Sequence, residues 1–274
     1  MENQVTIQQQ KKSLSELMHS PAVVGKLNEV WNSQQMANSF ISSVISVANG
    51  NPQLRKAEPM SIIGAAMVAS TMQLQVIPTL GQCYIIPYGS KAQFQVGYLG
   101  LLQLCQRSGQ FKKILAAPVH EGEYISGDEF DEDYIFDRTK RKSDKVIGYM
   151  AKFELLNGFT KVAYWDIDKV KSHATKFSQA FRAGYNSPWK SDFDAMAQKT
   201  VLKSILKFAP KSIEMQNAVA FDQAVVNTNT SDVQDLDIDA FAPEYVDNIE
   251  SEKRENFAEK AAEAAKANVN ESKK

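Results

Sequence analysis

Apolar residues recur at helical spacing in two stretches near the N-terminus, Leu14–Trp31 and Gln35–Ala48. Leu14, Leu17 and Met18 open the first stripe; Met36, Phe40, Val44 and Val47 mark the second. The run Asn49-Gly50-Asn51-Pro52 breaks the pattern. Pro59 suits the first turn of a third helix, predicted to continue to about Leu74. Its sequence, MSIIGAAMVASTMQL, is apolar or small on nearly every side, which predicts burial all round, with Gly64, Ala65 and Ala69 allowing close approach of a neighbour.

From Leu80 to Gly100 the period changes to two. LGQCYIIPYGSKAQFQVGYLG reads as two strands joined by a tight turn. Alternation puts Phe94, Val96 and Tyr98 on one face and Gln93 and Gln95, beside Lys91, on the other. The first face is expected to turn inward; the amides and the lysine are expected to line a polar surface. LLQLCQRSG then predicts a short helix stopped by Gly109, and FKKILAAPV, Phe111–Val119, a strand. A second hairpin is marked by Asn157-Gly158 between VIGYMAKFELL and FTKVAYW. Asp166 is placed to cap a helix through His173 and beyond, AGYNSP reads as a loop, and Ser191 with Asp194 fits a capping box for a helix from Ser191 to Phe208, ended by Pro210. Hairpins and helices alternate without a strand–helix–strand rhythm, so the predicted class is α+β with antiparallel pairing.

Charge changes the picture at the C-terminus. The whole chain of 274 residues carries a net charge of −1, but Thr228–Lys274 holds 12 acids and 6 bases, leaving 20 acids and 25 bases before it. The expectation is a body of residues 1–227 with charge +5, including an N-terminal helical region, and an acidic, flexible tail of residues 228–274 that could carry a local helix at Asn248–Ala267. A basic body suits a polyanionic partner; the tail is a solvated appendage, a protein-binding segment or a competitor of the polyanion. No apolar run reaches the ~20 residues of a membrane span and the polar N-terminus has no secretory pattern, so no membrane association is expected. The two cysteines, Cys83 and Cys105, fit no zinc or disulfide framework and suit reduced thiols in the cytoplasm.

Conventional catalytic motifs are missing. The sequence has no phosphate-binding glycine loop. His19, His120 and His173 are scattered, and HEGE at His120–Glu123 has the wrong order for a helical zinc site. Asp166/Asp168 and Asp192/Asp194 could hold the cations of a nuclease, but both pairs fall where helices begin, where capping needs no metal. Glu121–Asp133, with seven acids, reads as solvated, and RTKRKSDK, Arg138–Lys145, as a basic loop.

Lys199, Lys203 and Lys207 are four residues apart and predict a row of ammonium groups along one helix face, with Phe193, Ala197, Val201, Ile205 and Phe208 over much of the rest. Either this is a solvated face, or it is a phosphate-binding stripe. Lys91, Arg107, Lys112, Lys113, Arg138, Lys140, Arg141, Lys142, Lys176 and Arg182 add cations, interleaved with the aromatic residues Tyr98, Phe177, Phe181, Tyr185 and Trp189. That mixture is what single-stranded nucleic acid binders use, although each ring is also a candidate for the core.

LGQCYIIPYGSKAQFQVGYLGLLQLCQRSG resembles the central block of the RecT family of phage and prophage single-strand annealing proteins. PMSIIGAAMVASTMQLQVIP before it and WKSDFDAMAQKTVLKSILKFAP after it resemble two further blocks, so that the resemblance spans about residues 15–225. It implies ATP-independent binding and annealing of single-stranded DNA in recombination, with no cofactor and no covalent catalytic site. It also implies binding of the annealed duplex, a basic groove beside an antiparallel sheet, assembly into rings or helical filaments, and work alongside an exonuclease and a host single-strand binding protein. By position it assigns DNA contact to Gln93, Gln95, Tyr98 and Arg107 and to Lys199, Lys203 and Lys207. Where many relatives have a basic residue, this chain has Leu99. Strand coating without annealing, and metal-dependent cleavage, are the competing readings.

Overall fold

The structure, a computed structural model, describes residues 12–184 and 187–244. The possible helix at Asn248–Ala267 and the ring of Tyr185 lie outside the described residues.

The N-terminal stripe folds as two helices, α1 (Leu14–Met18) and α2 (Pro21–Trp31), rather than one. Ser20 accepts a hydrogen bond from the Val23 amide and Pro21 takes the first helical position, so a new helix starts there. Helix α3 (Gln34–Gly50) is capped by Ser33 and buries Phe40, Ile41 and Val44. Helix α4 (Pro59–Thr71) is buried from Ser61 through Ser70, as its all-round apolar sequence predicts.

Two antiparallel sheets share the body. In the first, β1 (Cys83–Tyr88) pairs with β2 (Lys91–Val96), which pairs with β8 (Ala224–Asn227), and β9 (Ala242–Glu244) completes the order β1-β2-β8-β9. The turn closes through Gly89 at φ 57°. Helix α4 packs on β2 and β8 closely enough that a Cβ on Gly64 would lie 2.9 Å from a Thr228 methyl. Ser61 at its first turn accepts from the Ala92 amide at 2.8 Å. After β2 the chain turns at Gly97 into α5 (Tyr98–Arg107). Gly97 and Gly100 are required by close approach: a Cβ on either would stand 2.0 Å from the carbonyl oxygen of Gly81 or Gln82 respectively.

The second sheet has the order β3-β6-β7, with β3 (Phe111–His120), β6 (Val146–Leu155) and β7 (Thr160–Asp166). The turn between β6 and β7 uses Gly158 at φ 87°, as the Asn-Gly pair predicts. A two-stranded ribbon, β4 (Tyr124–Ser126) and β5 (Ile135–Phe136), joins it through an aromatic cluster: Tyr164 of β7 stacks on Tyr124 at 5.1 Å and meets Phe136 at 5.8 Å.

Helix α6 (Ile167–Phe177) follows β7 and is capped by Asp166, which accepts from the Lys169 amide at 2.7 Å. The short helices α7 (Gln179–Arg182) and α8 (Pro188–Ser191) lead to α9 (Phe193–Leu206), and α10 (Ile213–Ala220) precedes β8. Ser191 is not the cap of α9. It closes the one-turn helix begun by Pro188, and Asp192 caps α9 by accepting from the Ala195 amide at 3.1 Å. Asp194 instead accepts from the Tyr149 hydroxyl.

Helix α9 packs against β3, β6 and β7 and also against α5. Its Met196 covers Gln95 of the first sheet, with 3.7 Å between the amide Nε2 and the sulfur. The apolar core therefore runs continuously from α1 through α4 and both sheets to α9. The residues just beyond Asn227, where the sequence suggests that a tail begins, belong to this core: Val233 is 2% exposed and Leu236 3%. The compact body extends to Pro243.

Candidate nucleic-acid interface

The predicted row of three outward lysines on α9 does not form. Lys199 is buried, and its Nζ donates to Asp222 Oδ1 at 2.9 Å. Lys203 donates to Oδ2 of the same carboxylate at 2.6 Å and stays about one-third exposed. The Val96 amide donates to Asp222 Oδ1 at 3.2 Å. Burial alone would raise the Asp222 carboxyl; the ammonium groups of Lys199 and Lys203 outweigh it and hold the pKa below the usual carboxylate range. Lys199 shares its one counter-charge with Lys203, so burial wins there and its pKa is lowered. The reason is the placement of α9 as an inner wall between two sheets, which closes one flank of a face that looks solvated in sequence. Lys207, one turn later, is exposed.

The central block differs from expectation in a similar way. Phe94 and Val96 are inward, as alternation predicts, but Gln95 is only 6% exposed because Met196 roofs the opposite face. Gln93 and Lys91 are half-buried. The Tyr98 hydroxyl donates to the Ala116 carbonyl at 3.2 Å and accepts from the Ala116 amide at 3.3 Å, splicing α5 to β3. Arg107 donates to the Met72 carbonyl. Gln95, Tyr98 and Lys199 do converge, on a cavity of about 970 Å³ between α3, β1–β2 and α9. Its walls are largely apolar, among them Val47, Ile86, Leu99 and Met196, so its surface suits packing better than phosphate.

Lys112 and Lys113 are exposed on β3, with Lys112 paired to Glu154 at 2.5 Å. Arg138 and Lys140 are exposed on a single 3-10 turn, and Lys142 beyond it is exposed as well. Arg141 is committed to Glu123 at 2.8 Å and lies 3.5 Å from Asp144. Glu123 is not solvated with its acidic neighbours. It is 3% exposed, and although burial works to raise its carboxyl, the His120 amide, the Arg141 guanidinium and the His120 ring hold it at about 2. His120 and Glu123 of the HEGE run thus bond to each other, and among the described residues no cluster of three or more potential ligands is arranged for a metal.

What the sequence does not single out as a group is the edge of the second sheet at β7. There Lys161 Nζ lies 4.2 Å over the ring of Phe208, and Lys207 Nζ lies 4.9 Å from the same ring. Further along, Lys169 sits 5.1 Å over Trp165, and His173 lies between Trp165 at 5.4 Å and Phe177 at 4.5 Å. Lys176 is 5.3 Å over Phe177. Phe177 and Phe208 are 60% and 50% exposed, which is unusual for rings of this size. Burial, with the charges of Lys203 and Lys176 nearby, lowers the pKa of His173. Of the predicted contacts, this edge gathers Lys176, Lys203 and Lys207; Lys112, Lys113, Arg138, Lys140 and Arg182 lie on other elements. Lys161, His173 and Phe208 could have been noticed as cation and ring positions at the ends of β7, α6 and α9. Their assembly depends on the pairing of β6 with β7 and the seating of α9 behind them.

Exposed rings each carrying a lysine form stacking platforms with built-in counter-charge, which suits a flexible polyanion with aromatic bases. The sequence relationships agree with that chemistry. The chain is 42% identical over 260 residues to a Bacillus subtilis (strain 168) relative named "Uncharacterized protein YqaK", covering 94% of this chain and 87% of the relative. It is 29% identical over 184 residues to "Protein RecT" of Escherichia coli (strain K12), covering 63% of this chain and 66% of that protein. The RecT family model matches residues 38–235, and the chain belongs to the RecT family.

Proposed function

We propose that the protein binds single-stranded DNA and anneals complementary strands without ATP, using the β7 edge and the exposed ends of α6 and α9 to hold one strand. The observation that carries this reading is the pairing of exposed Phe177 and Phe208 with Lys176, Lys207 and Lys161 in a member of the RecT family. Lysines neutralise phosphates and release counterions; as phosphates draw the ammonium groups off the ring faces, the exposed rings accept bases of any identity. Partner choice is then left to Watson–Crick pairing, and the annealed duplex is the product held.

The reading extends to assembly. A groove that tracks many nucleotides requires several copies of the chain, in a ring or helical filament, with the N-terminal helical region as the subunit contact. The acidic residues beyond the body suit protein partners, an exonuclease or a host single-strand binding protein, and a cytoplasmic setting. The pattern does not call for a cofactor or a covalent step.

The test is anisotropy of a labelled oligonucleotide, together with the pairing rate of two complementary oligonucleotides in the absence of ATP. Lys176→Glu with Lys207→Glu is expected to weaken binding for every sequence and to reduce the salt slope by about 0.7 per lost contact. Intact affinity in that variant would remove the interface assignment. Binding by the wild type with no gain in pairing rate would leave a strand-coating protein instead.

A further inference from the structure

Between β4 and β5 the chain makes a loop, Gly127–Tyr134, whose sequence GDEFDEDY contains five acids. The loop is internally built. Asp128 Oδ1 accepts from the amides of Phe130 at 2.8 Å and Asp131 at 3.0 Å, and Asp133 Oδ1 accepts from the Asp128 amide at 3.1 Å. Its base is pinned by the stacked rings of Tyr124 and Tyr164, with Phe136 tilted against both, and by the close approach of Gly127 to the Tyr134 backbone. Its tip is not anchored by apolar packing: Phe130 is 98% exposed.

The tip leans on the β7 edge through two ion pairs. Glu129 Oε2 accepts from Lys169 Nζ at 2.8 Å, and Glu132 Oε1 accepts from Lys161 Nζ. These are the same lysines that stand over Trp165 and Phe208. The loop therefore places two carboxylates next to the rings of the proposed interface, in the positions that the phosphates of a strand stacked on those rings would take. Glu132 occupies the left-handed region, φ 55°. The Lys169–Glu129 pair is exposed and screened by salt, and Lys161–Glu132 is part-buried, so a polyphosphate displaces the first readily and the second against more resistance.

The geometry points to Lys161 and Lys169 as phosphate contacts that the acidic loop occupies in the free protein and yields to an incoming strand. This inference rests on the DNA-binding reading above and adds the means by which that site is gated. The loop sets a threshold: short or sparsely charged anions do not displace two tethered carboxylates, whereas a strand offering several phosphates and bases at once does.

The test uses the full chain and a fluorescent oligo-deoxythymidine. Glu129→Gln with Glu132→Gln is expected to tighten binding between about threefold and tenfold at low salt and to steepen the salt slope by about 1.4, for two freed contacts. Adding Lys161→Gln and Lys169→Gln is expected to cancel the gain. A dye on Phe130→Cys reports loop displacement directly, since Cys83 and Cys105 are buried and do not compete for the label. Wild-type binding with no tightening in the double variant, a gain that survives the lysine substitutions, or a dye signal unmoved by the strand each overturns the gate and leaves the DNA-binding reading standing. Failure of wild type and every variant to bind the oligonucleotide overturns that reading itself.

Discussion

Lys199 and Asp222 form a buried ion pair, with 2.9 Å between Nζ and Oδ1, and the carboxylate is shared with the part-exposed Lys203. This relationship ties α9 to the junction of α10 and β8, and through the Val96 amide to the end of β2. It explains why a lysine carried on the helix face predicted to meet DNA is unavailable to it.

Replacing one partner leaves the other buried and uncompensated. Lys199→Glu would add a second buried carboxylate and is expected to unfold the body, so lost DNA binding in that variant would say nothing of an interface. Asp222→Asn is expected to cost about 3–5 kcal/mol, read from urea denaturation. The pH dependence has a definite sign. Asp222 has a depressed pKa in the folded state, so its contribution is fully present above the ordinary carboxylate pKa near 4 and is lost as pH falls below it. The stability gap between wild type and Asp222→Asn should therefore narrow progressively as pH falls below about 4. A constant gap would contradict the pairing.

His173 gives a second pH test, this time of binding. Its pKa is lowered by burial and by Lys203 and Lys176, and it faces the rings of Trp165 and Phe177. A strand that neutralises those lysines raises its pKa, so binding takes up a proton. Affinity for single-stranded DNA is expected to rise about two- to threefold per unit as pH falls from about 7.5 to 6. His173→Gln should flatten this dependence, and an unchanged profile in that variant would exclude the histidine.

Gly97→Ala and Gly100→Ala each drive a methyl group into a backbone carbonyl 2.0 Å away. Neither glycine has a positive φ, so the demand is for space rather than for an unusual backbone conformation. Each substitution is expected to cost about 2 kcal/mol or more, seen as a lowered Tm, whereas Gly25→Ala, with open space around its Cβ position, should be neutral or slightly stabilising.

Truncation after Asn227 removes Val233, Leu236 and Phe241 from the core. At about 1.5–3 kcal/mol for each fully buried apolar side chain, that is a large share of a domain's net stability. The truncated chain should aggregate or unfold at a clearly lower temperature, while a chain ending at Glu244 should keep the wild-type Tm. Equal melting of the two truncations would contradict the placement of Val233 and Leu236.

Features set by local chemistry were legible from the residues. The Asn157-Gly158 turn, the capping of α6 by Asp166, the break at Pro210 and the burial of α4 each depend on a few neighbouring side chains and appear where expected. Features set by what packs across a distance were not. Gln95 alternates with Phe94 and Val96 as a solvated residue would, but Met196, 101 positions later, covers it. Lys199 has the spacing of a surface lysine, and its counter-charge is 23 residues away in the apolar run Val219–Val226. A lone acid in such a run is itself a hint of a buried pair, since an unpaired carboxylate would not be tolerated there. The proposed interface at β7 was half visible: its cations and rings were identifiable, but the acidic loop that meets them is separated from them by two strands and a basic turn.

Because α9 packs across all three strands of the second sheet and reaches the first through Met196 and Lys199, it sets the grain of the molecule's fluctuations. The helix cannot loosen without exposing the faces of β3 and β6 together, so amides in these strands should exchange hydrogen only by opening of the whole body, at a common rate. Lys207 and Phe208, just past the last turn of α9, are exposed and can adjust while the rod behind them stays fixed. For the proposed annealing role this mounts a compliant grip on a stiff support, with the division falling at the end of a single helix.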